Sequence, residues 1–151
     1  MTFDARVVDI SETDEIFEFE QKRLETSVED EQLRMILSWQ APWRKESLEF
    51  YLPKGWCFAV RQNEQLVGYF LAQPVLFFRQ MTQTLWLEHV TFDSKEAGDY
   101  LLELAFKTAR EKHIQSVLVS PQEELIPLLQ ARGAKPVSDL YYEFQSTKIA
   151  K

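Results

Sequence analysis

Hydrophobic and polar positions follow a helical period over much of the first third of the chain. A short β-branched run before this region predicts a strand over 5–10. Ser11 then opens a capping-box-like pattern, which predicts the start of a helix. The helices are predicted over 13–25 and 29–39, with a short continuation over 45–52 after Pro42-Trp43.

Apolar runs typical of β-strands occupy the middle of the chain. Asn63 and Glu64 separate the first two runs, which predicts a hairpin. Pro74 has no backbone N–H to donate, so the second strand is predicted to end there. Residues 75–83 fit either a continued strand or an apolar loop. The strands are predicted over 56–61, 65–73 and 85–92.

Helix and strand alternate in the last third. A polar turn over 93–98 precedes the most amphipathic stretch, which predicts a helix over 99–112. Ser120-Pro121-Gln122-Glu123 reads as a capping box that opens a further helix, which Gly133 ends. Pro127 inside that helix predicts a kink or a delayed start. Strands are predicted over 115–119 and 140–145, and residues 146–151 are predicted to fray.

The predicted order is β-α-α-β-β-β-α-β-α-β, which indicates a single α/β (α+β) domain over 1–151 with a mixed central sheet and helices on both faces. Hydrophobic residues make up 45% of the chain and charged residues 27%, as in an ordinary globular domain. A chain of 151 residues can bury a core without disulfides or metals.

Charge and composition exclude several functional classes. The formal net charge of -7 argues against a nucleic-acid surface and suits a cationic amine substrate. No apolar run reaches the roughly 20 residues of a membrane helix, and residues 1–10 lack the pattern of a signal peptide. Cys57 is the only cysteine and there are two histidines, so no metal cluster is expected. We therefore expect a cytoplasmic protein.

Four segments in this order resemble the GCN5-related N-acetyltransferases, nearest to the protein N-terminal enzymes that acetylate ribosomal alanine. ARVVDISETDEIFEF is similar to the opening strand and first helix of that family. APWRKESLEFYL is similar to the Pro-Trp segment of the N-terminal enzymes, and CFAVRQNEQLVGYFLA to the second and third strands. LLQARGAKPVSDLYYEF resembles the closing helix, turn and terminal strand.

The resemblance implies that the fourth and fifth strands splay apart and that acetyl-CoA, the implied co-substrate, lies between them. Pantetheine would pair with the backbone of the fourth strand. The pyrophosphate would sit on the N-terminus of the next helix, where free N–H groups and the helix dipole attract phosphate. The residues that fall at these places are Val90, Phe92, Ser94, Lys95, Ala97, Gly98 and Gln122.

The phosphate loop departs from the family pattern Gln/Arg-x-x-Gly-x-Gly/Ala. Asp93 stands at its first position and Glu96 at its first glycine, while Gly98 retains the last small residue. A glutamate adds bulk and negative charge where glycine lets the backbone approach phosphate, so weaker pyrophosphate binding is expected. The same residues also suit an ordinary acidic helix N-terminus.

The usual general acid of the family is missing from this chain, and more than one interpretation fits the candidate general base. The tyrosine that protonates the CoA thiolate in many members falls at Leu129, and Ala134 replaces the closing aromatic; Tyr141 or Tyr142 are possible substitutes. Glu88 is the predicted catalytic base, because period two places it on the side of Val90; a rim salt bridge is the alternative. His89 is predicted on the opposite face, as a packing residue. Core or acceptor-pocket roles stay open for Trp39, Trp43, Trp56, Trp86, Phe77, Phe78 and Arg79.

Two functions of different classes follow. The first is transfer of an acetyl or other acyl group from acyl-CoA to a primary amine of a small molecule or a protein N-terminus, by a monomer or homodimer. The second is a catalytically degenerate module on the same scaffold that senses CoA or binds a protein partner.

Overall fold

The structure is a computed structural model that describes residues 2–120, 122–137 and 142. Within these residues the chain forms five β-strands and five α-helices. The strands are β1 (Asp4–Val7), β2 (Phe58–Gln62), β3 (Gln65–Leu76), β4 (Gln83–Phe92) and β5 (Ser116–Val119). The helices are α1 (Thr13–Ser27), α2 (Glu31–Gln40), α3 (Lys45–Tyr51), α4 (Lys95–Glu111) and α5 (Ile126–Ala131).

The strands form one mixed sheet in the order β1-β2-β3-β4-β5. Neighbours from β1 to β4 are antiparallel, and β5 pairs parallel with β4. Asn63 and Glu64 join β2 to β3 with φ values of 52° and 65°, the left-handed conformation that tight hairpins require. The predicted hairpin and mixed sheet are confirmed.

Each face of the sheet carries a separate apolar core. Under α4 and α5, Phe70, Leu87 and Val90 of the sheet pack with Leu101 and Leu128. On the other face the buried residues include Ile16, Leu48, Tyr51, Tyr69 and Leu71, which pack under α1 and α3. The sheet therefore has helices on both faces, as predicted.

Strands β4 and β5 separate part-way along their length. Their pairing runs to Leu87 opposite Val119, and the Ser120 N–H donates to the Leu87 carbonyl at 2.9 Å. Strand β4 then continues to Phe92, whereas β5 has ended. Among the described residues no strand pairs with this edge of β4 beyond Leu87, and the edge faces a gap.

A β-bulge lies in β4 where this gap begins. Leu71 pairs with His89, but the next residue of β3, Ala72, pairs with Leu87, so Glu88 is an extra residue on β4. The bulge interrupts the alternation of side chains. Val90 packs in the core under α4, whereas Glu88 accepts a hydrogen bond from Trp86 on the opposite face. The prediction that Glu88 and Val90 share a side is therefore wrong.

Pro74 does not end the second strand of the hairpin. It lies inside β3, opposite Leu85 of β4. The pairing of β2 with β3 ends at Phe58 opposite Phe70, so β3 has a free edge beyond that point. A residue without an N–H is tolerated at such an edge, and β3 extends to Leu76.

Capping explains the other boundaries that differ from prediction. Strand β1 ends at Val7 because the Asp9 side chain caps a short 3-10 helix. Helix α4 begins at Lys95 rather than 99, because Ser94 Oγ accepts the Ala97 N–H at 3.2 Å. The segment after β5 forms no capping box; α5 starts only at Ile126, with Pro127 in its first turn, so the delayed start is confirmed. The strand predicted over 140–145 and the tail 146–151 lie outside the described residues, apart from Tyr142, which is exposed.

Candidate functional site

A cleft of about 650 Å³ opens where β4 leaves β5. The C-terminal half of α1 forms one wall, with Glu20, Arg23 and Leu24 among its lining residues. The end of β4 forms the floor, and residues 122–124 form the opposite wall. The cleft therefore lies at the gap that the sequence analysis assigned to the acyl donor.

Three polar side chains are buried together at the floor of the cleft. Glu20 is 4% exposed, His89 8% and Thr91 6%. His89 Nε2 lies 2.8 Å from Glu20 Oε2 and 2.5 Å from Thr91 Oγ1, and the Thr91 hydroxyl also donates to Glu20 Oε2 at 3.3 Å. Buried polar groups are costly unless they are paired, so this cluster holds His89 in one orientation.

Gln122 reaches across the gap to the backbone of β4. Its Oε1 accepts the Val90 N–H at 2.9 Å, and its Nε2 donates to the Val90 carbonyl at 3.2 Å. These are the backbone groups that point away from β3 into the gap. The side-chain amide of Gln122 therefore pairs with β4 as a neighbouring strand would.

This pairing fixes the tautomer of His89. Because Oε1 is on the Val90 N–H, the Gln122 amide presents Nε2 to His89 Nδ1, at 3.4 Å. An amide nitrogen only donates, so Nδ1 carries the lone pair and the proton of the neutral ring lies on Nε2, facing Glu20. Nδ1 is thus the basic atom of His89, and it points toward Gln122.

Arg23 on α1 is tied to the turn before α4. Its Nη1 donates to Asp93 Oδ1 at 2.7 Å, and its guanidinium also lies 3.8 Å from Glu20 and 3.6 Å from Glu124. The acidic turn over 93–98 therefore lies beside a cation that comes from α1. This cation offsets part of the negative charge of the cleft rim.

The N-terminus of α4 follows directly. Ser94 caps it, and Lys95 and Glu96 form its first turn, where backbone N–H groups lack acceptors within the helix. Both Lys95 and Glu96 are exposed. The predicted phosphate position at this helix end remains a prediction.

Ala97 and Gly98 are buried and serve packing. A Cβ at Gly98 would lie 2.7 Å from Leu128 Cδ1 and 3.0 Å from Phe92 Cδ2. The small residue at this position lets α4 approach α5 and the end of β4. Half-buried Phe92 packs against the same core.

Glu88 lies outside the residues that line the cleft. Its Oε2 accepts the Trp86 indole N–H at 2.8 Å. Burial raises the pKa of the neighbouring Tyr51, and the negative charge of Glu88 raises it further. Its role as catalytic base stays a prediction, and the geometry gives it a structural partner.

The remaining candidates are dispersed. Leu129 packs against the core and Ala134 is exposed. His113, the second histidine of the chain, is exposed just after α4. Of the four tryptophans, Trp43 lines the cleft. Trp39 is 64% exposed on α2 and Phe77 is 78% exposed in the loop between β3 and β4.

Sequence reasoning did not single out Glu20, Arg23 or Thr91. The helical period alone predicts that Glu20 and Arg23 lie on the solvated side of the first helix. One signal was available, because a threonine two residues after a histidine shares its strand face. The partners on α1 follow only from the three-dimensional packing.

No protein-family model matches the chain, and no curated protein matches it. Solved structures are similar over nearly its whole length. A GCN5-related N-acetyltransferase of Ralstonia eutropha is 14% identical with a TM-score of 0.69, covering 95% of this chain and 99% of that one. A predicted acetyltransferase of Clostridium acetobutylicum, solved with acetyl-CoA, is 11% identical with a TM-score of 0.68, covering 95% and 96%.

The ribosomal-protein-alanine N-acetyltransferase of Brucella melitensis is 15% identical, with a TM-score of 0.64 and coverage of 95% and 99%. The chain therefore has the fold of the GCN5-related N-acetyltransferases. In the described part of the chain, no helix has the length and apolar character needed to cross a membrane. Those same residues contain no grouping of His, Cys, Asp and Glu that would hold a metal ion.

Proposed function

We propose that this chain, on its acetyltransferase fold, transfers an acetyl group from acetyl-CoA to a primary amine. The observation that carries the proposal is the buried Glu20–His89 pair, which lies at the floor of the cleft beside the edge of β4 that no described strand covers. A strand edge can hold an extended amide chain, and the paired imidazole can accept a proton next to it.

The residues present fit an acyl-CoA arm. The Val90 N–H and C=O are directed into the gap, as their bonds to Gln122 demonstrate. We propose that Val90 and Phe92 pair with the arm and that Ser94 and Lys95 at the start of α4 face the pyrophosphate, while buried Ala97 and Gly98 support this helix end by packing. Gln122, which the sequence analysis also placed at the donor site, lies at the same edge of β4 and bonds to the Val90 groups that the arm would use. Acetyl-CoA would supply an activated thioester there.

His89 is the base that the geometry favours. The acceptor nitrogen attacks the thioester carbonyl carbon, a C–N bond forms, and the C–S bond breaks. His89 Nδ1 takes the ammonium proton before attack, and Glu20 stabilises the imidazolium that results. The proton that the nitrogen sheds on acylation goes to the departing thiolate. Glu88, the candidate from the sequence, is the alternative base.

The acceptor is proposed to be a cationic amine. Glu20, Asp93, Glu123 and Glu124 line the cleft, against the single guanidinium of Arg23. Such a cleft attracts an ammonium group by its summed field. Both a small amine and a protein N-terminus meet this requirement, and the Brucella melitensis neighbour is named for ribosomal-protein alanine.

A second candidate function is a non-catalytic module that senses CoA or binds a protein partner. Two observations favour it. Gln122 occupies the backbone groups of Val90, and Asp93 and Glu96 stand where the family has residues that bind phosphate. Such a module would bind CoA without turnover, or bind neither CoA nor an amine.

The test combines binding and turnover. Acetyl-CoA at 100 times its dissociation constant should stabilise the protein by about 2.7 kcal/mol, which is on the order of 5–10 °C in Tm. Adenosine 3′,5′-bisphosphate and pantetheine are the controls. Release of CoA thiol is then measured with a panel of amines and N-terminal peptides. Binding without turnover on the whole panel would favour the sensor, and no shift at millimolar ligand would overturn the transferase.

Two variants separate the candidate bases. His89→Asn should lower kcat about 10²–10⁴-fold while CoA binding persists, because a positioned base contributes that factor. Glu88→Gln keeps a hydrogen-bond acceptor for Trp86 and should leave kcat within a few-fold of the parent. The reverse result would assign the proton to Glu88 and overturn the assignment to His89.

A further inference from the structure

We propose that Gln122 is an internal occupant of the acyl-donor site, which must leave Val90 before the donor arm can bind and which uncovers His89 as it leaves. This inference rests on the proposed function. It makes Gln122 a gating residue rather than a passive contact of the cofactor.

The two hydrogen bonds on Val90 carry the inference. Gln122 Oε1 accepts the Val90 N–H at 2.9 Å and Nε2 donates to the Val90 C=O at 3.2 Å, so one side chain satisfies both strand-edge groups of this residue. A secondary amide in an extended arm would use the same donor and acceptor. The amide of Gln122 and an amide of the arm therefore compete for Val90.

The side chain of Gln122 can leave without unfolding its surroundings. Gln122 lies in an irregular segment between β5 and α5 and is half-buried. Its own carbonyl accepts the N–H groups of Leu125 and Ile126 at 3.0 and 3.1 Å. Rotation about the side-chain bonds would leave this turn in place, so the exchange needs a rotamer change and no movement of a helix or strand.

The same side chain covers the basic atom of the proposed base. Gln122 Nε2 lies 3.4 Å from His89 Nδ1, while Glu20 holds the other ring nitrogen. When Gln122 moves away, the Nδ1 lone pair faces the cleft. Donor binding and exposure of the base are thereby one event, which predicts that the donor binds before the amine.

Removing the amide should strengthen donor binding. Gln122→Ala is expected to bind CoA about ten-fold more tightly than the parent in calorimetry, because no internal hydrogen bonds need to be broken first. Gln130→Ala, which shortens an exposed glutamine on α5, is the matched control and should bind as the parent does. Equal or weaker binding by Gln122→Ala would overturn the gate.

A second readout follows the imidazole itself. The chain has two histidines, so a ring ¹⁵N spectrum contains one His89 pair of signals and one His113 pair. The His89 Nδ1 signal should shift in Gln122→Ala without ligand and in the parent when CoA is added, while exposed His113 stays unchanged. An unchanged His89 signal in both cases would overturn the inference.

The outcomes distinguish this inference from the proposed function. If CoA binds to none of the three proteins, the proposed function fails and the gate fails with it. If CoA binds to all three with equal affinity, the donor site stands and the gate alone is wrong.

Discussion

Arg23 Nη1 lies 2.7 Å from Asp93 Oδ1, so a helix near the start of the chain offsets part of the negative charge of the turn that precedes α4. The two residues are 70 positions apart. The Arg23 side chain is 31% exposed and leans into the cleft, where an anionic ligand would meet it. The charge at the proposed phosphate position therefore depends on this pair as well as on Glu96.

Removing the guanidinium should weaken CoA binding. Arg23→Gln is expected to raise the Kd for CoA about five-fold at low salt, since a partly exposed charge is worth about 1 kcal/mol. Asp93→Asn should lower the Kd by a similar factor, because Arg23 then loses its closest carboxylate partner and can pair with phosphate. Calorimetry at two salt concentrations checks both, and the differences should shrink at high salt. Matching affinities for all three proteins would place the pyrophosphate elsewhere.

Glu96 allows charge and bulk to be separated. Glu96→Gln removes the negative charge at similar size, and Glu96→Gly removes both. Each variant should bind CoA more tightly than the parent, with Glu96→Gly the tighter if bulk also matters. Pantetheine, which has no pyrophosphate, is the control ligand and should bind all three proteins equally. If CoA affinity does not rise in either variant, the expectation that Glu96 weakens pyrophosphate binding is wrong.

The sequence predicted the elements well where a local pattern decides them. The hairpin at Asn63 and Glu64 and the amphipathic stretch of α4 depend on residues that are neighbours along the chain. The prediction that Pro74 ends the strand is wrong because β2 no longer pairs with β3 at this position. The sequence does not show where that pairing stops.

The centre of the site was less predictable for a physical reason. Glu20 and His89 are 69 positions apart, and their 2.8 Å contact forms only because α1 packs over β4 with Glu20 directly above His89. The bulge at Glu88 adds one residue to β4 and reverses which side chains face α1. No periodicity along one strand reveals a bulge, because it is set by register with the neighbouring strand. The side of β4 on which Glu88 lies was therefore predicted wrongly, whereas His89 lies opposite Val90 as predicted, and the role of Glu88 as catalytic base stays a prediction.

Gly68 should not tolerate a side chain. A Cβ there would lie 2.8 Å from the Thr91 carbonyl oxygen and 2.9 Å from Leu101 Cδ1. The first of these is backbone and cannot move aside alone, so Gly68→Ala should lower the free energy of unfolding by about 2 kcal/mol. Gly133→Ala is the control: its surroundings are open but its φ is +81°, so about 1 kcal/mol is expected from the backbone alone. Urea denaturation measures both, and a loss for Gly68→Ala no larger than that for Gly133→Ala would show that the Thr91 carbonyl and Leu101 leave room for a methyl group.

Cys57 should be chemically inert in the folded protein. It is 0% exposed, and burial raises the pKa of its thiol to about 11. The thiolate is the reactive form, so alkylation by iodoacetamide at pH 8 should require unfolding and follow the denaturation curve. Rapid labelling of the native protein would contradict the buried position.

The same shift has a consequence for alkaline stability. A thiol whose pKa is raised from 9.0 to about 11 on folding binds its proton more tightly in the native state, so its contribution is complete below pH 9. Stability should then fall as pH rises toward 11, by roughly 2–3 kcal/mol from this group at most. Cys57→Ala lacks the thiol and should show a shallower decline over that range, whatever its stability at pH 7. Tyr51 and Tyr69 also have raised pKa values, and the charge of the Cys57 thiolate adds to both shifts, so the difference between the two pH curves reports Cys57 together with its coupling to these tyrosines. Parallel curves would mean that the thiol ionises as easily in the folded chain as in the unfolded one.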